Sequence, residues 1–312
     1  MSRLLTVLSS VAVVGCGTLI KPPDPDRKLD VRTAGTTFDS DRGYRFVVLP
    51  EPNANVIRVD VRYPVGSIDD PAGKEGLAHL VEHLLTEVEV TRDGVKTSLD
   101  GELGRVALSY NASTTTDYTS YEVLALPSAL DDLMRVEGER LATGCAGIPR
   151  TLFDREREVV RNELRQRAGG GGSELLRQVH EAIYPAGHPY RRVDSAETVA
   201  NITYEDVCAF VVGPYRRGTA IVAISGAVDV PALQASVANQ FARVPKRTPA
   251  AVVAIPPAPV QPGTVRIRGA VDEPTLLITW PLPPMSSNYY RFLEIAWGRI
   301  AGNLEDYAFT FH

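Results

Sequence analysis

Cysteine is scarce: the 312-residue chain has three, Cys16, Cys145 and Cys208. None forms a C-x-x-C pair, which excludes a disulfide-built scaffold and a cysteine zinc knuckle. Cys145 and Cys208 are expected as small buried residues. One bridge between them, in an oxidising compartment, is the alternative. Histidine is scarce as well, at five. An excess of basic charge is missing: Lys and Arg number 33 against 38 Asp and Glu, a net charge of −5. Nucleic-acid binding needs a concentrated cationic surface and has no support here. What is present, 44% hydrophobic and 23% charged residues, is the composition of a folded domain with a sizeable core.

The first residues, MSRLLTVLSSVAVVGCG, carry one early charge at Arg3, an apolar run from Leu4 to Val14, and then small residues and a cysteine. The run is short for a membrane span and right for a secretory core region. Val13-Val14-Gly15-Cys16 resembles a bacterial lipobox, in which the cysteine becomes the lipidated first residue. Residues 1–15 are thus read as a lipoprotein-type signal peptide and 16–40 as a tether rich in proline and charge, KPPDPDRKLD. The expected location is an exported one, lipid-anchored to a bacterial membrane on its periplasmic or surface side.

Residues 41–245 read as the main domain. YRFVVL (44–49) and VIRVDVRYPV (56–65) have the β-branched content of strands, and 105–113 with 118–126 read as a strand pair around TTTD. Gly76 to Thr86 reads as a helix, Pro127 and Pro149 each open another, and the glycines 169–172 break the charged helix that follows Pro149. Thr203 to Asp206 forms a capping box, TAIVAIS (219–225) is a buried-type strand, and Asp229 starts a further helix. A Pro- and Ala-rich linker, 246–262, precedes two strands and a helix in 263–312, the incomplete start of a second domain. The fold class is α+β, an antiparallel sheet flanked by helices.

The chemistry centres on GLAHLVEHLLT. In a helix, His79, Glu82 and His83 fall within roughly 100° of arc. The two histidines, at i and i+4, stack one above the other and can share a metal ion. Every other side chain from Leu77 to Leu85 is apolar, so the helix is buried on most sides, and three polar groups there need a partner. A hydrolytic zinc site takes a third protein ligand and leaves one position for water. The helix after Pro149 offers Glu156 and Glu163, about 10.5 Å apart along one face. Spacing does not choose between them. Glu158 points elsewhere and is solvated. His188 reads as a turn-packing residue, His180 and His312 have no companions, and Tyr118 and Tyr121 pack within a strand.

These residues resemble the insulinase/pitrilysin family of zinc peptidases, whose signature is H-x-x-E-H. The resemblance runs from Tyr44 to Val244 through VGSIDDPAGKEGLAHLVEHLL, NASTTTDYTSYEVLAL, EREVVRNEL, GHPYRR, TYEDVCAFVVGPY and IVAISGAVDV. It implies one zinc ion held by His79, His83 and Glu163, with Glu82 as general base and Glu156 as a supporting acid. It also implies that Asn111 and Ala112 lie on a sheet edge that binds the substrate backbone. Members pair this domain with a second similar half, in cis or from a partner subunit. The expected activity is zinc-dependent endopeptidase cleavage of peptides or unfolded segments. A non-catalytic zinc-binding subunit or surface lipoprotein ranks second, because binding alone has no use for Glu82.

Overall fold

The computed structural model describes residues 35–92, 94–169, 172–249 and positions 264 and 266. The signal peptide, Cys16, nearly all of the tether, the linker beyond 249 and the second-domain elements lie outside the described residues.

Alternation of apolar and charged residues sets the main sheet. Strands β1 (Thr36–Asp39), β2 (Tyr44–Pro50), β3 (Ile57–Tyr63), β6 (Ala107–Thr114), β7 (Thr119–Ala125) and β8 (Ala220–Gly226) form six strands in the order β1-β2-β8-β3-β7-β6. In β2 and β3, Tyr44, Phe46, Val48, Ile57, Val59, Val61 and Tyr63 are buried, while Arg45, Arg58 and Arg62 on the alternate face are exposed. All pairings are antiparallel except β2 with β8, so the expected antiparallel sheet stands with one parallel insertion. β4 (Glu89–Arg92) and β5 (Val95–Ser98) make a separate hairpin.

Helices α1 (Leu77–Thr86), α2 (Leu99–Val106), α3 (Leu130–Ala142), α4 (Arg150–Gly169), α5 (Gly172–Ile183), α6 (Ala196–Ala200), α7 (Tyr204–Val212) and α8 (Val230–Gln240) complete the described domain. The expected caps are present: Thr203 accepts from Asp206 N while Asp206 accepts from Thr203 N, and Asp229 accepts from Ala232 N. The strand expected over 105–113 begins only at Ala107, because Ser98 caps α2, which buries Leu99 and Leu103. That helix carries Gly101 and Gly104, poor helix formers that hide it from a propensity reading.

Helix α1 touches β6, α3, α4 and α7, and its apolar residues Leu77, Ala78, Leu80, Val81, Leu84 and Leu85 are all buried. A buried helix needs partners for its terminal N–H and C=O groups. At the N-terminus Asp70, 2% exposed, accepts from Gly76 N and Ala78 N, both at 2.8 Å. At the C-terminus the fully buried Arg140 guanidinium donates to Leu85 O at 2.9 Å. It is neutralised by Glu137 at 2.7 Å and lies over the Tyr121 ring. The segment before α1 docks on the β6–β7 turn, with Ser67 N and Ile68 N donating to Thr115 O and Thr116 O at 3.0 Å each. Gly66 is required there, since a Cβ would collide with those same carbonyls.

Cys145, in the short turn after α3, and Cys208 on α7 are half-buried and joined in a disulfide, with Cα atoms 5.2 Å apart. This corrects the expectation of two separate buried thiols. Tertiary packing brings two residues 63 apart into bonding distance, which local sequence does not encode.

Closing a loop of that length restricts the unfolded chain by about 4 kcal/mol in the chain-entropy account. Cys208→Ala is expected to lower unfolding free energy by about 2–5 kcal/mol in urea titrations, with reductant giving the same loss in the parent protein. Asp70 gives a pH-dependent expectation. Burial pushes its carboxyl up to about 7, against the two backbone N–H groups that pull it down. A carboxyl raised on folding favours the folded state fully below its unfolded value of about 3.9, and that contribution fades as pH rises through the raised value. Asp70→Asn, which leaves one N–H without an acceptor, is therefore expected to destabilise more at about pH 4–5 than above about pH 7. Equal losses at both pH values would mean that Asp70 ionises as an ordinary carboxylate.

Candidate active site

The stripe of α1 that is not apolar faces a cavity of about 400 Å³ lined by His79, Glu82, His83, Asn111, Ala112, Glu156 and Glu163, among others. His79 and His83 lie side by side, ring centroids 5.0 Å apart, as their i, i+4 spacing requires. Helix α4 packs against α1 and brings its carboxylates up to the two imidazoles. Glu163 spans the pair: Oε2 is 3.6 Å from His79 Nε2, and Oε1 is 3.8 Å from His83 Nε2. Glu156, one turn pair earlier on α4, meets the other nitrogen of His83, with Oε2 3.3 Å from Nδ1. Glu158 is exposed and paired with Arg161.

Glu82 is buried at 7% exposure, and Thr114 Oγ1 on β6 donates to its Oε2 at 2.6 Å. Asn111 and Ala112 lie on β6, opposite Glu122 and Tyr121 of β7. β6 is the last strand of its sheet, so its outer edge carries no strand partner among the described residues. A second cavity, of about 460 Å³, shares His79, Glu82 and Ala112 and continues past Ser113 to Thr116. His180 lines that second cavity, and Asp194 Oδ2 stands 3.8 Å from His79 Nδ1 there. His188 is buried and accepts from Tyr190 N, and Tyr121 is buried, both as expected of packing residues.

The site gathers negative charge. Arg155 pairs with Glu156 at 2.7 Å and with Glu87 at 3.3 Å, and Arg167 lies 3.5 Å from Glu163. Burial disfavours protonation of His83, but Glu156, Glu163 and Glu82 outweigh it and hold the imidazole above its ordinary pKa. The hydrogen bond to His83, opposed by burial and aided by Arg155, holds the Glu156 carboxyl below its usual range.

This donor set fits a zinc ion. One ligand atom from each of His79, His83 and Glu163 lies within 4.8 Å of the others. Ligands about 2.0–2.1 Å from one tetrahedral ion stand roughly 3.4 Å apart, so inward shifts on the order of 1 Å close the set. Glu156, on the outer nitrogen of His83, is not in this group. Sequence reasoning missed Thr114, Asp70, Arg140 and Asp194. Strand alternation places Thr114 on the same face as Ala112, a signal that was available. Asp194 sits in an irregular stretch whose sequence carries no periodic signal.

A family model described as Insulinase (Peptidase family M16) matches residues 45–188, and one described as Peptidase M16 inactive domain matches 201–301. The second match begins before β8, which lies within the same sheet as β2 and β3. The zinc protease PqqE of Helicobacter pylori is 31% identical over 193 residues, covering 60% of this chain and 42% of the relative. The chain thus spans less than half the length of that protein. The crystal structure of a protease from Helicobacter pylori is similar with TM-score 0.60 and 26% identity, covering 73% of this chain and 54% of that one. The first half of the periplasmic protease PqqL from Escherichia coli shares the fold at TM-score 0.59 and 19% identity, covering 71% of this chain and 48% of that one. Both family matches, and the H-x-x-E-H helix inside the first of them, give one answer: the chain belongs to the insulinase family of peptidases, M16.

Proposed function

We propose that this chain is the metal-binding half of a zinc metalloendopeptidase that hydrolyses peptides or unfolded polypeptide segments. The observation that carries the reading is the convergence of His79, His83 and Glu163 on one point beside the buried Glu82. The two imidazoles and the Glu163 carboxylate hold the ion, and Glu156 holds His83 by its outer nitrogen. Zinc, when bound in such a site, supplies Lewis acidity and makes water a nucleophile near neutral pH. Glu82 accepts the proton of the attacking water and returns it to the leaving amine. Thr114 holds that carboxylate in place through its hydroxyl. The outer edge of β6 beside Asn111 and Ala112, which has no strand partner among the described residues, pairs with an extended substrate, which favours unfolded segments over folded proteins.

A second peptidase-like half, in cis or on a partner subunit, is supported by the match of residues 201–301 and by the short span of the larger relatives. Export, with a lipid anchor at Cys16, is supported by the lipobox-like sequence and by the Cys145–Cys208 bridge, a bond that persists in oxidising compartments.

The test uses protein beginning at Gly17, zinc, and quenched unstructured peptides. Glu82→Gln is expected to keep zinc and lose about 100- to 10,000-fold in kcat. His83→Ala is expected to lose both zinc and cleavage. Thr114→Val, which removes a hydrogen bond to a charged group, is expected to cost roughly 10-fold in kcat with zinc content unchanged. Wild-type turnover in Glu82→Gln would remove the assigned base. Tight zinc without cleavage, even after a second half is supplied, would favour a non-catalytic zinc-binding subunit instead.

A further inference from the structure

Each histidine of the pair has two distinct carboxylate neighbours, one on each ring nitrogen. Both Nε2 atoms face Glu163, at 3.6 and 3.8 Å. On the opposite side, His83 Nδ1 has Glu156 at 3.3 Å and His79 Nδ1 has Asp194 at 3.8 Å. The two outer carboxylates come from unrelated places, Glu156 from α4 and Asp194 from the stretch just before α6. Resting on the metal site proposed above, we infer that Asp194 is a positioning residue for His79, doing for that ligand what Glu156 does for His83.

The physical argument is one of tautomer and orientation. A neutral imidazole carries its proton on one nitrogen and offers the other to a metal, and the group beside the first nitrogen decides which is which. A carboxylate near Nδ1 favours the proton there and leaves the Nε2 lone pair facing Glu163. At 3.8 Å, Asp194 is at ion-pair distance from His79 rather than in a hydrogen bond, and its field still acts across that gap. Among the described residues His79 is its one polar side-chain partner. The nearby cations are engaged elsewhere: Arg192 donates to the carbonyls of Ile68 and Asp70, and Arg167 lies against Glu163.

The placement of Asp194 is built rather than loose. Arg192 ties the segment before it to the turn that enters α1, and Thr198 Oγ1 on α6 donates to Glu75 O at 2.8 Å. Ser195, the next residue, caps α6. Gly76 makes the approach feasible: a Cβ there would meet Val199 Cγ2 at 2.6 Å and Asp194 Cβ at 3.3 Å. Gly76 precedes His79 by three residues, so the bare glycine lets the Asp194 segment pack on the same face of the first turn that carries the histidine. Its φ of 97° also suits glycine alone.

The experiment uses the full chain as wild type, Asp194→Ala, Asp194→Asn and Asp194→Glu, each read in two ways. The zinc dissociation constant is measured by chelator competition. The His79 tautomer is read from imidazole ¹⁵N shifts in zinc-free protein at about pH 8.5, well above the ordinary imidazole value of about 6.5. Asp194→Ala is expected to weaken zinc about 10- to 100-fold and move His79 towards the Nε2–H form, because Glu163 is then unopposed, while His83 keeps its tautomer. Asp194→Glu is expected to restore most of both. The near-isosteric Asp194→Asn guards against loss of folding and is expected to fall between. Unchanged zinc affinity, or an unchanged His79 tautomer, in Asp194→Ala and Asp194→Asn overturns the inference. If wild type binds no zinc, the proposed metal site fails, and the tautomer reading still decides the role of Asp194.

Discussion

A helix buried on nearly every side is stable only when its two ends find partners of the right charge. In this protein Asp70 takes the N-terminal amides of α1 and Arg140 the C-terminal carbonyl of Leu85. Arg140 matches the negative end of the helix dipole, and Asp70 matches the positive end once it ionises, at about 7. Both groups are themselves buried, so each carries a desolvation cost that is offset only while its partners hold. The height and rotation of His79, Glu82 and His83 above the cavity follow from where these two charges clamp the helix. Arg140 also rests on Tyr121, a residue of β7, which links the helix directly to the sheet.

The site is a charge problem as much as a geometric one. Glu82, Glu156, Glu163 and Asp194 converge on two imidazoles, with Arg155 and Arg167 as counter-charges at the edge. Carboxylates held this close repel one another, and a divalent cation between them reverses the sign of that energy. Binding then requires neutral imidazoles, so metal and protons compete for His83, which the same carboxylates push towards the protonated form.

The parts legible in sequence were those fixed by local periodicity. The polar stripe on α1 follows from the spacing of His79, Glu82 and His83, and the shared face of Glu156 and Glu163 from their seven-residue interval. Spacing alone did not choose between those two glutamates; the family resemblance pointed to Glu163, and the packing of α4 on α1 sets that residue beside both imidazoles. The caps at Thr203 and Asp229 were readable because they are local hydrogen bonds. Helix α2 was hidden by its glycines, and β1 and the β4–β5 hairpin are four-residue strands too short for a clear alternation. The role of Asp194 depends wholly on tertiary contact and was not visible, and for the same reason the Cys145–Cys208 bridge stood only as the alternative to two separate thiols.

The strand order has a temporal meaning. β8, which ends at Gly226, is inserted between β2 and β3, whose last residue is Tyr63. Until the chain has been synthesised past that point, β2 and β3 have no neighbour to join them, and the sheet that backs α1 lacks its middle. Such distant pairings are slow to form and leave open strand edges in the meantime. The proposed metal ligands at 79, 83 and 163 are all made well before β8, yet the scaffold that aligns them closes only after it. A nascent or prematurely ended chain therefore carries the candidate site residues without an organised centre, so maturation of the site is timed by one late strand.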